Sequence, residues 1–137
     1  MKLVDTNILV HAYNKDSPHR LKAKSIVLEL IKGKYVISTQ NILEFYSAIT
    51  KRVSTPLSPL EARNKALNLY KSNAKKLVPD LNVIKTGLEL AAQHNLKGGE
   101  IFDAILAATM IEHKILVIIT ENETDFLKFP ITVENPF

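Results

Sequence analysis

The chain has no cysteine, which excludes disulfide bridges, thiolate metal sites and cysteine nucleophiles together. Any metal would have to be held by oxygen or imidazole. No stretch approaches the ~20 apolar residues of a membrane-spanning helix. Asp5 also interrupts Met1-Lys2-Leu3-Val4 before the apolar core of a signal peptide can build up. A cytoplasmic protein with no membrane attachment is therefore expected. No repeat with a period of 20 to 50 residues appears, nor any low-complexity run. What is present is 137 residues, 46% hydrophobic and 23% charged, which suits one globular domain spanning 1–137 with a packed core.

The net charge of +4 is unevenly spread. Residues 1–76 carry +9 and residues 77–137 carry −5. The basic half, with Arg20, Lys22, Lys24, Lys51 and Arg52, offers contacts to a polyanion, whereas the acidic excess that follows needs its own explanation.

Lys2-Leu3-Val4 reads as a short strand that passes at Asp5 directly into a helix through Ile8, Leu9, Val10 and Ala12. Residues 19–32 place Ala23, Ile26, Val27, Leu30 and Ile31 on one helical face, and Gly33 ends the pattern before the strand Tyr35-Val36-Ile37. Ser38 or Thr39 is placed to cap a helix over 40–53. Ser58-Pro59-Leu60-Glu61 is a capping box with proline at the first helical position, predicting a helix over 59–73. Lys76-Leu77-Val78 suits an edge strand, and Asp80 a cap for a helix over 82–94. After Gly98-Gly99, residues 100–113 are apolar almost all round, the pattern of a buried helix, with Asp103 interrupting its first turns. Leu116–Ile119 and 131–133 supply two more strands. Strands alternating with helices, without hairpin signals, predict an α/β fold with a mainly parallel twisted sheet covered on both faces.

Four acids take related places in this layout. Asp5 ends the first strand, Glu44 lies in the early turns after the second, Asp103 is early in the buried helix, and Asp125 follows Ile119. In open parallel sheets the crevice beyond the strands' carboxyl ends binds ligands, so these four can meet there. Carboxylates so gathered repel one another unless a cation or protons neutralise them. A hard divalent cation, Mg²⁺ or Mn²⁺, suits all-oxygen ligation, and the four histidines share no ligand spacing. Singly, each acid has a plainer role: Asp5 as a helix cap, Glu44 as a solvated helix residue, Asp103 as a partner of the helix dipole, Asp125 as a loop residue.

Asp5-Thr6-Asn7-Ile8-Leu9-Val10, Gln40-Asn41-Ile42-Leu43-Glu44-Phe45, Ile101-Phe102-Asp103-Ala104 through Thr109, and Thr120-Glu121-Asn122 with Asp125-Phe126 occur in that order along the chain. Together with the tail from Phe129-Pro130 to Asn135-Pro136, they resemble the PIN-domain ribonucleases, and within them the toxin members of VapBC toxin-antitoxin systems. The resemblance implies a three-layer α/β/α PIN-like domain and a metal-dependent endoribonuclease. Asp5, Glu44, Asp103 and Asp125 would be the catalytic metal ligands, with Thr6, Asn7, Thr120 and Asn122 orienting them. It also implies an RNA substrate, a cognate antitoxin and a homodimer. One departure is that many PIN domains carry aspartate where this chain has Asn122. Glu100, one turn before Asp103, is a further candidate ligand.

Two other classes compete. A haloacid-dehalogenase-like phosphatase needs a second aspartate two residues after the first, and that position is Asn7. A PIN scaffold that only binds RNA or protein, or a PIN nuclease of RNA processing or decay, would share the fold without the toxin role. Since an ionised carboxylate binds a hard cation better than an amide oxygen, Asn122→Ala is expected to weaken metal binding less than Asp125→Ala. Metal titration of the two variants checks this, and the reverse order would move the fourth ligand to Asn122.

Overall fold

The computed structural model describes residues 1–137, in which thirteen elements follow one another. In chain order they are β1 (Leu3–Val4), α1 (Thr6–Tyr13), α2 (Arg20–Ile31), β2 (Val36–Ser38), α3 (Thr39–Lys51), α4 (Pro59–Lys71) and β3 (Lys75–Leu77). Then come α5 (Leu81–Gln93), a 3₁₀ turn (Gly98–Glu100), α6 (Ile101–Glu112), β4 (Val117–Ile119), α7 (Glu123–Phe126) and β5 (Thr132–Glu134). The sheet order is β3-β2-β1-β4-β5, and every neighbouring pair is parallel. The first strand is thus the central one.

The strands are two or three residues long, so alternation within them decides which layer each side chain joins. Val4, Ile37 and Ile119 face one way and pack with Ile8, Leu9, Val27, Leu30, Phe45 and Leu69 from α1 to α4. Leu3, Val36, Leu77 and Ile118 face the other way and pack with Ala91, Ala104, Ala107 and Met110 from α5 and α6 and with Phe126 of α7. Helices thus cover both faces, giving the three layers expected from the alternation of strand and helix. No helix is long and apolar enough to cross a membrane.

Four helix starts are capped by side chains, those of α1, α3, α4 and α5, while α2, α6 and α7 have no such cap. Ser58 Oγ accepts from the Glu61 N–H at 3.2 Å while Glu61 Oε1 accepts from the Ser58 N–H at 3.3 Å, and Asp80 Oδ1 accepts from the Val83 N–H at 2.9 Å. Of the two residues placed to cap α3, Ser38 does so. Gly33 stops α2 at φ +90°, where a Cβ would also meet the Asn73 carbonyl oxygen at 3.0 Å. On α5, Gly87 lets α6 come close, because a Cβ there would run into the side chain of Ile105.

Two details depart from expectation. Phe102, part of the apolar pattern of a buried helix, is 56% exposed, because the buried stretch of α6 starts at Ala104. Asp125, with a loop as its plain reading, lies in the one-turn helix α7.

Phe45 is fully buried on α3 with its ring 5.0 Å from that of Tyr13, and it holds the helix that carries Glu44 against α1. Phe45→Ala is expected to cost about 3–5 kcal/mol of stability. Chemical denaturation checks this, and a loss below about 1 kcal/mol would contradict the packing described.

Candidate active site

The parallel topology brings the carboxyl ends of β1, β2 and β4 to one rim. Asp5 follows β1 with its N–H on the Ile119 carbonyl at 3.0 Å, Thr120 follows β4 with its N–H on the Glu134 carbonyl at 3.0 Å, and α3 rises directly from Ser38. A cleft opens here, and its lining includes Asp5, Thr6, Asn7, Glu44, Asp103 and Asn122.

Asp5 is 7% exposed and held on both oxygens. Oδ1 accepts from the Thr6 N–H at 2.7 Å, which makes Asp5 the cap of α1, and Oδ2 accepts from Thr120 Oγ1 at 2.7 Å and Asn7 Nδ2 at 3.1 Å. One side chain thus caps α1 and lines the cleft. Asn7 also donates to Thr120 Oγ1 at 2.8 Å and accepts from the Glu121 N–H at 3.2 Å, which ties α1 to the segment after β4. Glu44 is gripped by Thr6 Oγ1 at 3.0 Å and Gln40 Nε2 at 2.5 Å. Buried Asn41 donates to Thr6 Oγ1 at 3.0 Å and accepts from the Ser38 N–H at 3.0 Å. Asp103, on the first turn of α6, faces the cleft with no side-chain hydrogen bond within the fold.

Charge is poorly balanced in the cleft. Burial, above all, pushes Asp5 from the ordinary 3.8 up to about 6; the Thr120 and Thr6 hydrogen bonds oppose this, and the charges of Glu44 and Asp125 add to it. Asp103 is pushed up to about 7, by burial first and then by Asp125, Asp5 and Glu44, with Lys128 offsetting part. Asp125 is therefore within electrostatic reach of both, although Asn122 and not Asp125 lines the cleft. No three His, Asp or Glu side chains are grouped tightly enough to hold a metal ion as they stand. In kind, though, the donors are carboxylate oxygens short of positive charge, which is the chemistry a hard divalent cation satisfies. Glu100 does not line the cleft and spends its side chain on the Lys97 N–H at 3.0 Å.

Of the basic residues, Arg52 lines the acid cleft, while Arg20 and Lys24 line a separate groove with Lys15 and Lys65 between α1, α2 and α4. Lys22 and Lys51 line neither. The structure gives roles to four further residues. Gln40 and Asn41, which open the motif that contains Glu44, brace Glu44 and Thr6. His11 lines the cleft with Nε2 2.6 Å from Glu121 Oε2 and Nδ1 2.6 Å from Ser17 Oγ. Glu121 joins it from the far end of the chain, which no local pattern announces.

An all-parallel α/β/α domain with acids gathered at the strand ends defines a class, and comparison agrees. The chain belongs to the PIN domain family, whose model matches residues 2–131. It is 26% identical over 132 residues to Ribonuclease VapC24 of Mycobacterium tuberculosis, covering 94% of this chain and 91% of that protein. Among solved structures, a toxin-antitoxin complex from Klebsiella pneumoniae superposes with TM-score 0.67 at 24% identity, covering 100% of this chain and 98% of that one. VapC20 of Mycobacterium tuberculosis, described as a sarcin-ricin loop cleaving toxin, does so with TM-score 0.70 at 15% identity, covering 86% and 87%.

The raised carboxyls set a pH dependence. Between pH 4 and about 7 the folded protein holds protons that the unfolded chain releases, so metal-free stability must fall as pH rises through this window. Asp5, being buried, contributes up to about 3 kcal/mol, and partly exposed Asp103 less. Denaturation in chelator at pH 5 and pH 8 checks the sign. Asp103→Asn removes a repelling charge and breaks no hydrogen bond, so it is expected to flatten the upper part of this profile. Equal stability at both pH values in the wild type would contradict the charge deficit described.

Proposed function

We propose that this protein is an endoribonuclease of the VapC type, dependent on Mg²⁺ or Mn²⁺, and the toxin half of a toxin-antitoxin pair. The observation that carries the reading is the cleft at the strand ends lined by Asp5, Glu44 and Asp103, where burial first, and then repulsion among these acids and Asp125, pushes Asp5 and Asp103 up towards neutrality. The named activity of the Mycobacterium relative and the toxin-antitoxin pairing of the Klebsiella neighbour support it.

Asp5, Glu44, Asp103 and Asp125 would hold the cation. When bound, it lowers the pKa of a water, aligns it with the scissile phosphate and stabilises the departing 3′ oxygen. Thr120 and Asn7 aim Asp5, and Thr6 and Gln40 aim Glu44, so two of the acids are oriented before substrate arrives. Asp103, with no partner in the fold, is free to turn. No side-chain nucleophile is required. The protein would act in the cytoplasm as a homodimer, restrained by an antitoxin that covers the cleft.

RNA cleavage is expected in Mg²⁺ or Mn²⁺ and not in chelator, and Asp5→Asn or Asp103→Asn is expected to lower it by at least a hundredfold with the fold intact. In Asp5→Asn the new amide faces two donors, Asn7 Nδ2 and Thr120 Oγ1, so its gain from lost repulsion is smaller than that of Asp103→Asn. Full activity in chelator or in either variant would overturn the metal-site reading, and absence of cleavage would leave a binding scaffold. Growth of cells expressing wild type, Asp5→Asn, or wild type with the adjacent gene product tests the toxin role. Equal growth in all three would leave a nuclease of RNA processing or decay. Light scattering of the purified protein reads the dimer separately.

A further inference from the structure

A second cleft of about 510 Å³ adjoins the acid site and shares Glu44, Asp103 and Arg52 with it. Its volume lies in the range of small-molecule sites. The walls combine unlike chemistries. Phe102, next to Asp103, presents a largely exposed ring, and Arg52, at the C-terminal end of α3, is exposed and in no ion pair. Gln40 spans the two helices: its Nε2 donates to Glu44 Oε1 at 2.5 Å and to the Phe102 carbonyl at 2.9 Å, and its amide oxygen has no partner in the fold. Ser47 adds a hydroxyl, and Gly99 leaves the rim open, since a Cβ there would meet nothing within 4 Å.

We propose that this cleft is a nucleotide subsite beside the scissile phosphate, in which Phe102 stacks a base of single-stranded RNA and Arg52 takes the adjoining phosphodiester. The proposal rests on the ribonuclease reading above and adds to it the residues that seat the strand. An anionic strand approaching four carboxylates is repelled, so it needs cations at the edge of the acid cluster. Arg52 stands where the two clefts meet, and its planar fork suits a phosphate. An exposed aromatic ring is a stacking platform that accepts any base, while the Gln40 amide oxygen and the Ser47 hydroxyl offer hydrogen bonds to a base edge. Stacking on Phe102, one residue from Asp103, would hold a base next to the cleaved bond, and Gln40 and Ser47 would read its edge. Arg52, Phe102 and Gln40 are positioning residues here.

The test uses the full chain with Asp5→Asn, so that RNA binds without being cut, and a short fluorescent single-stranded RNA carrying 2-aminopurine, in Mg²⁺. Binding should quench 2-aminopurine. Phe102→Ala should lose the quench and weaken binding roughly tenfold, while Phe102→Tyr should keep both. Arg52→Gln should weaken binding and reduce the slope of log affinity against log salt by about 0.7, the share of one phosphate contact on a single strand. Gly99→Leu, at a cleft-lining position where an added Cβ meets nothing within 4 Å, should crowd the subsite and weaken binding at unchanged thermal stability. With the acids intact, Arg52→Gln and Phe102→Ala should raise KM more than they lower kcat. RNA binding with unchanged quench and salt slope in these variants would overturn the subsite while leaving the ribonuclease reading intact. So would a change from dimer to monomer in Phe102→Ala by light scattering, which would make the cleft a contact between copies. If wild type cuts no RNA and Asp5→Asn binds none, the ribonuclease reading itself fails, and this subsite with it.

Discussion

A carboxylate buried at the end of the central strand constrains everything around it. Asp5 could be accommodated as a neutral acid or as an anion with enough donors, and the fold supplies the Thr6 N–H, the Thr120 hydroxyl and the Asn7 amide. These come from the two sides of the crevice, so satisfying one side chain also fastens α1 to the segment after β4. The donors do not fully repay desolvation, and the neighbouring acids make ionisation harder still. Such a residue is expensive to keep in a core, and its cap on α1 offsets only part of that cost.

The bracing around Glu44 follows the same logic at one remove. Ser38 starts α3, Asn41 closes the capping turn, and the amide group of Asn41 left over from capping reaches Thr6, which in turn grips Glu44. A local device that begins a helix thus also orders a carboxylate of the cleft. Asp103 is left unbraced on the first turn of α6, where the helix dipole favours negative charge without restricting its rotamer. Two acids of the cleft are thus held by hydrogen bonds within the fold and the third is not.

Much of this was legible from residue order. The 58–61 box, the Asp80 cap and the stop at Gly33 are local chemistry, decided by hydrogen bonds spanning at most four residues, and they appear where the pattern puts them. Asp103 stood out because a charge on an apolar helix demands a reason, and its placement in the cleft supplies one. Phe102 misled for the complementary reason: hydrophobicity says that a ring prefers to be buried but not whether the first turn of a helix has anything to bury it against. The pairing of Glu121 with His11 and of Gln40 with Phe102 has no local signature, because the partners lie 110 and 62 positions apart.

The sequence by itself determined the alternation of strand and helix, the helix boundaries and the identity of the acids, because periodicity, capping and a conspicuous buried charge are properties of short stretches. Only the tertiary structure decided that β1 lies at the centre of the sheet, that Asp5, Glu44 and Asp103 line one cleft, and that their burial moves two of them towards neutral pH. Desolvation and mutual repulsion depend on distances between side chains up to 120 positions apart, and no local pattern contains those distances.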